Sequence, residues 1–157
     1  NRFFIHNIHF TSFVTLFVGR LEPDSQRLHY SNAGHNPPLL LCAQANGTSP
    51  RIWLSPTGPA IGLVEGFPHQ TKSVAIHPDD LLVLYTDGVT ETMNRQRELF
   101  GEERWADLVQ QQANQQGREL IQAVRNELTL FTEDQPLRDD LTIVVSRFNH
   151  NFSETSR

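Results

Sequence analysis

Carboxylates at the ends of apolar strands are the groups in this sequence best placed to do chemistry. In Tyr85-Thr86-Asp87-Gly88-Val89-Thr90-Glu91, an apolar stretch over 81–84 runs into Asp87, and Gly88 lets the chain turn at once. A carboxylate held at the exit of a rigid strand suits a metal ligand or a catalytic group. Asp-Gly also closes ordinary turns, so this pattern alone leaves both readings open. In Arg138-Asp139-Asp140-Leu141-Thr142, two adjacent carboxylates precede another apolar strand. They repel each other, and a divalent cation would offset that cost, as would solvation with partial pairing to Arg138. Antiparallel neighbours could bring these two acidic strand ends together, and hard oxygen ligands suit Mg²⁺ or Mn²⁺ rather than zinc. His35, in Asn32-Ala33-Gly34-His35-Asn36, lies on a loop, where a histidine binds, donates a proton or merely caps.

Periodicity and turn chemistry give the elements that must position these groups. Residues 13–18 and 27–31 read as two strands of a hairpin, joined by the turn cluster Glu22-Pro23-Asp24-Ser25. Residues 32–38 form a loop, because Gly34, Pro37 and Pro38 prevent a ladder. Residues 39–43 are a buried strand, Asn46-Gly47 is a tight-turn signal, and 51–54 return beside it. After a loop over 55–66, strands over 71–76 and 81–86 flank His77-Pro78-Asp79-Asp80, the pattern of a second hairpin. From Glu102 the period changes: Trp105, Leu108, Val109 and Gln112 fall at helical spacing, as do Leu120, Ile121, Val124, Leu128 and Phe131. Gly117 reads as the C-cap and break between two helices. Residues 141–145 are a last apolar strand. Strands grouped before helices, with one closing strand, indicate an α+β fold.

Composition narrows the function classes. A chain of 157 residues with 38% hydrophobic and 20% charged residues is of one-domain length and can bury a core. Its net charge of -5 argues against a nucleic-acid partner. No apolar run approaches the roughly 20 residues of a membrane helix, so no membrane contact by this segment is expected. The single cysteine, Cys42, excludes an internal disulfide framework and fits a reducing, cytoplasmic compartment. There is no Walker or dinucleotide motif. His6 and His9 lack a third metal ligand nearby in sequence. The chain opens at Asn1 without a Met, and is expected to be a piece of a longer protein.

Six segments in order carry a resemblance to a known family. They are Phe13-Val14-Thr15; Asn32-Ala33-Gly34-His35-Asn36-Pro37-Pro38; Gly58 with Ile61-Gly62-Leu63; Leu82-Val83-Leu84-Tyr85-Thr86-Asp87-Gly88-Val89-Thr90-Glu91; Leu99-Phe100-Gly101; and Asp139-Asp140-Leu141-Thr142. Together they resemble the metal-dependent protein phosphatases (PPM), in the bacterial SpoIIE/RsbU-like branch. The resemblance implies two packed antiparallel β-sheets flanked by helices, with residues 1–148 a partial phosphatase domain and 149–157 a polar tail. It implies two Mn²⁺ or Mg²⁺ ions in the complete domain, which activate a water for in-line attack on phosphoserine or phosphothreonine. On this resemblance Asp87 and Asp139 are metal ligands. Asp140 stands where many relatives carry Asn and is the less secure ligand; Gly88, His35 and Asn36 line the site. The implied partners are a phosphorylated regulatory protein, such as an anti-sigma-factor antagonist, and an upstream sensor or receiver domain used in signal transduction.

Two departures stand out. The family's first motif, an Asp- and Gly-rich strand and turn, has no match here, and residues 1–11 contain no Asp or Glu. The fold is therefore expected to be N-terminally truncated and the chain inactive or weak alone. An unpaired sheet edge and a homodimer or aggregate are also expected. The alternative is a catalytically dead module that binds a signalling partner. The second departure is Pro78-Asp79-Asp80, where relatives read Pro-Gly-Asp; it touches a turn rather than the chemistry.

Overall fold

The computed structural model describes residues 13–43, 49–137 and 139–149. In chain order these form β1 (Leu16–Glu22), β2 (Arg27–Ala33), β3 (Leu39–Leu41), β4 (Arg51–Trp53), β5 (Lys72–Ala75), β6 (Leu81–Tyr85), α1 (Asp87–Thr90), α2 (Gly101–Gln111), α3 (Gly117–Thr132) and β7 (Ile143–Arg147). The strands make two antiparallel sheets, ordered β1-β2-β5 and β4-β3-β6-β7. The chain divides into two compact units, one of residues 1–37, 54–78 and 149–157 and one of 38–53 and 79–148.

In the first unit, β1 and β2 form the expected hairpin, with Leu16 opposite Ala33 and Glu22 opposite Arg27. The first strand starts at Leu16 rather than at residue 13 and runs into the turn cluster as far as Glu22. A turn ending on Gln26, at φ 50°, completes the reversal. Leu28 and Tyr30 alternate with polar neighbours and are buried, and Phe17 stacks on Tyr30 at 5.7 Å between ring centres. The loop over 55–66 is irregular as expected, joined to β1's approach by paired hydrogen bonds between Val14 and Ile61.

The second hairpin is not formed. β5 pairs with β2, whereas β6 pairs with β3 and β7. The cause lies in Asp79 and Asp80. Asp79 takes φ 68°, a left-handed conformation that glycine adopts more readily. Asp80 is fully buried; its carboxylate accepts the Ala43 N–H at 2.7 Å and its carbonyl accepts the Phe148 N–H at 3.0 Å. These bonds tie the start of β6 to the ends of β3 and β7.

The second unit holds the larger core. Leu39, Leu41, Leu81, Val83 and Tyr85 recur at period two on β3 and β6. They pack with Trp105, Leu108 and Val109 of α2 and Leu120, Val124 and Leu128 of α3, which recur at helical spacing. β4 returns beside β3 as expected, Leu39 opposite Trp53; the Asn46-Gly47 signal lies outside the described residues. The last strand begins at Ile143, two residues later than expected. Gly117 is not the break between the helices but the first residue of α3. The break falls over 112–116, where the Gln116 N–H donates to Glu119 Oε2 at 3.2 Å and starts the new helix. No helix among the described residues is long and apolar enough to cross a membrane.

Two polar groups in this core differ in their partners. The Asp80 carboxylate is hydrogen-bonded, whereas the buried Tyr85 hydroxyl has no partner among the described residues. Asp80→Ala leaves the Ala43 N–H without its acceptor and is expected to cost about 1–3 kcal/mol. Tyr85→Phe is expected to be neutral or stabilising, with chemical denaturation measuring both. Among the described residues of the first unit, β1 is an edge strand, and its Leu16 and Val18 are 42% and 53% exposed. Self-association through this edge is expected, and Val18→Lys should suppress it. Sedimentation velocity is the check, and a monodisperse wild-type monomer at high concentration would contradict the expectation.

Candidate functional site

The end of β6 carries Asp87, which opens a single helical turn rather than a simple reversal. The Glu91 N–H donates to the Asp87 carbonyl at 2.7 Å and the Val89 N–H to the Thr86 carbonyl at 3.1 Å, which closes α1. The β6–β7 register pairs Leu81 with Arg147 and Tyr85 with Ile143. Because the strands are antiparallel, the exit of β6 and the approach to β7 lie at one end of the sheet. Thr86 extends the pairing. Its N–H donates to the Thr142 carbonyl at 3.1 Å, its hydroxyl donates to the Asp140 carbonyl at 3.3 Å, and the Thr142 N–H donates to that hydroxyl at 3.1 Å.

Gly88 makes the closest of these approaches. A Cβ built on it would lie 2.5 Å from the Asp140 carbonyl oxygen, closer than any side chain permits. Gly88 is buried and, with Asp139, lines a cavity. The segments bearing Asp87 and Asp139–Asp140 are thus brought together by backbone contact.

The three carboxylates are exposed. Asp87 Oδ1 accepts the Gly88 N–H at 3.0 Å, and Asp139 Oδ1 accepts the Asp140 N–H at 2.8 Å. Each bond orients its side chain. In kind, these anionic oxygens fit a hard divalent cation. In number they fall short: among the described residues, no three His, Cys, Asp or Glu side chains are grouped to hold a metal ion.

His35 and Asn36 belong to the first unit, on the loop after β2, and both are half-buried. His35 Nδ1 lies 3.3 Å from Thr15 Oγ1. Its N–H donates to Asn32 Oδ1 at 2.8 Å, and the Asn32 side-chain amide donates to the carbonyls of His35 at 3.0 Å and Leu54 at 3.1 Å. Thr57 adds three bonds: its N–H and its hydroxyl donate to the Asn32 carbonyl, and its hydroxyl accepts the Asn32 N–H. Asn32 is fully buried and shapes this loop, a role that reading the sequence did not assign. The signal was an Asx residue three places ahead of His35 at a strand end.

Comparison with known proteins fits this architecture. A family model described as Stage II sporulation protein E (SpoIIE) matches residues 1–149. Protein IcfG of Synechocystis sp. is 31% identical over 134 residues, which is 85% of this chain and 20% of that protein. Phosphoserine phosphatase RsbU of Bacillus subtilis is 24% identical over 147 residues, covering 94% of this chain and 42% of RsbU. The chain therefore spans less than half the length of these relatives. Among solved structures, the SiaA-PP2C domain of Pseudomonas aeruginosa superposes with a TM-score of 0.68 at 25% identity, covering 80% of this chain and 48% of that one. The phosphatase domain of Bacillus subtilis SpoIIE gives 0.63 at 17% identity, covering 96% and 61%, and supports the fold alone. Two antiparallel sheets with helices, in a PP2C-type phosphatase fold, and a family match over nearly the whole chain give one conclusion: the chain belongs to the SpoIIE family.

Proposed function

We propose that this chain is part of a metal-dependent phosphatase domain that removes phosphate from serine or threonine on a regulatory protein, in a longer protein with a sensor or receiver domain. Asp87 and Asp139 would hold Mn²⁺ or Mg²⁺, with Asp140 as a further candidate and Gly88 lining the site. The observation that best supports this is the pairing of β6 with β7, which brings both acidic segments to one end of one sheet. Divalent cations bound there would supply positive charge against the phosphoryl oxygens and activate a water nucleophile. The chain's own residues have narrower tasks. The hydrogen bonds from the Gly88 and Asp140 amides orient the two carboxylates. The missing side chain of Gly88 allows the Asp140 backbone to approach. His35 and Asn36, on the braced loop of the first unit, are carried as site-lining candidates on the family resemblance alone. The remaining metal donors lie outside these side chains.

The test is Mn²⁺ titration by calorimetry on the wild type and on Asp87→Asn. Weak binding is expected in the wild type and binding at least roughly tenfold weaker in the variant; equal heats in the two proteins would overturn the assignment. Turnover of a phosphoserine peptide that Asp87→Asn abolishes would exclude the alternative, a scaffold that only binds a signalling partner. Gly88→Ala is expected to push the Asp140 backbone away, costing about 1–3 kcal/mol of stability and weakening Mn²⁺ binding as well. Unchanged melting and unchanged metal affinity in that variant would show that the close approach is not required.

A further inference from the structure

Resting on the metal-site reading, we infer that Thr86 is a positioning residue of that centre. Its hydroxyl replaces a lost rung of the β6–β7 ladder and so holds the Asp139–Asp140 segment beside Asp87. In an antiparallel pair, opposed residues exchange both of their N–H···O=C bonds at every second position. Thr86 and Thr142 continue the register that sets Tyr85 opposite Ile143. One of their two bonds is made, from the Thr86 N–H to the Thr142 carbonyl at 3.1 Å. The other is diverted, because the Thr86 carbonyl accepts the Val89 N–H at 3.1 Å and opens α1. The Thr142 N–H turns to the Thr86 hydroxyl instead, at 3.1 Å. The proton of that hydroxyl goes to the Asp140 carbonyl at 3.3 Å.

This is not the ordinary use of a threonine at such a place. Thr86 is the N-cap of α1 and has an extended backbone, φ -94° and ψ 161°. A capping threonine ordinarily turns its hydroxyl onto an N–H of its own helix. Here it makes no cap bond and reaches across to the approach of β7 instead. A single turn does not hold itself, and α1 is braced by other hydroxyls. Thr90 donates to the Asp87 carbonyl at 3.4 Å and Thr92 to the Gly88 carbonyl at 2.5 Å.

The sheet, the helical turn and the acidic segment thus all draw on position 86. Gly88 only leaves room for the Asp140 backbone; the Thr86 hydroxyl supplies side-chain bonds that keep it there. A metal centre assembled from two separate segments needs that spacing fixed. Valine would keep the shape but has neither donor nor acceptor, whereas serine keeps both.

The test uses this chain, first without metal. Amide hydrogen exchange read by NMR is expected to find the Thr142 N–H protected in the wild type and in Thr86→Ser, and unprotected in Thr86→Val. An unprotected Thr142 N–H in the wild type overturns the inference with no variant needed. Mn²⁺ titration by calorimetry then reads the consequence. Thr86→Val should bind roughly tenfold more weakly, and Thr86→Ser as tightly as the wild type. Asp80→Ala, at the other end of β6, controls for general destabilisation and should keep the wild-type affinity. Unchanged affinity in Thr86→Val, no rescue by Thr86→Ser, or an equal loss in Asp80→Ala would each overturn the positioning role. Asp87→Asn scores the metal-site reading separately. A loss there with none in Thr86→Val leaves that reading standing and removes the role of Thr86. Equal heats in Asp87→Asn and the wild type remove the reading itself and leave the Thr86 bonds a structural role only.

Discussion

The pairing of β6 with β7 is the constraint from which the rest of the second unit takes its order. Its register puts Tyr85 opposite Ile143, and Thr86 continues the ladder by bonding both Thr142 and the Asp140 carbonyl. Beyond that point no regular ladder is possible, because Gly88 turns the chain into α1 against the Asp140 backbone. Two acidic segments far apart in sequence, at 87 and 139, therefore meet through main-chain geometry rather than side-chain attraction. Such placement survives the mutual repulsion of the carboxylates, since hydrogen bonds and close packing of the backbone hold the segments together.

The core behind this sheet explains why the placement is rigid. Val83 and Tyr85 on β6 are buried among Trp105, Val109, Leu120 and Val124, so the strand that delivers Asp87 has little freedom to shift. The Tyr85 and Trp105 rings lie 5.0 Å apart, and burial, with a smaller push from Glu102, holds the Tyr85 phenol far above its ordinary pKa. The carboxylates themselves remain in water at the strand ends. A charge there keeps its hydration, so a cation that replaces water faces a modest desolvation cost. Rigid delivery with exposed charge is the combination an exchangeable metal site needs.

The first unit uses a different device. Its loop after β2 is shaped by one buried side-chain amide, that of Asn32, which bonds two carbonyls and one N–H. Gly34, at φ 69°, sits where a Cβ would lie 2.8 Å from the Ala60 nitrogen. His35 therefore stands on a loop fixed from within.

Local chemistry made much of this legible from the residues alone. Period-two alternation revealed the β1–β2 hairpin, helical spacing revealed α2 and α3, and Asp87-Gly88 and Asp139-Asp140 stood out as acidic groups beside apolar strands. Each of these signals is carried by residues a few positions apart, and so can be read in one dimension. The partners of β5 and β6 were not legible. His77-Pro78-Asp79-Asp80 has the composition of a hairpin turn, yet Asp80 finds its acceptor role at Ala43 and Phe148, far away in sequence. Gly117 likewise looked like the end of a helix, but Glu119 bonding back to Gln116 made it a beginning. Sheet order, the contact of Gly88 with Asp140 and the cavity beside Asp139 all depend on which distant backbone groups satisfy one another, and only the folded chain settles that.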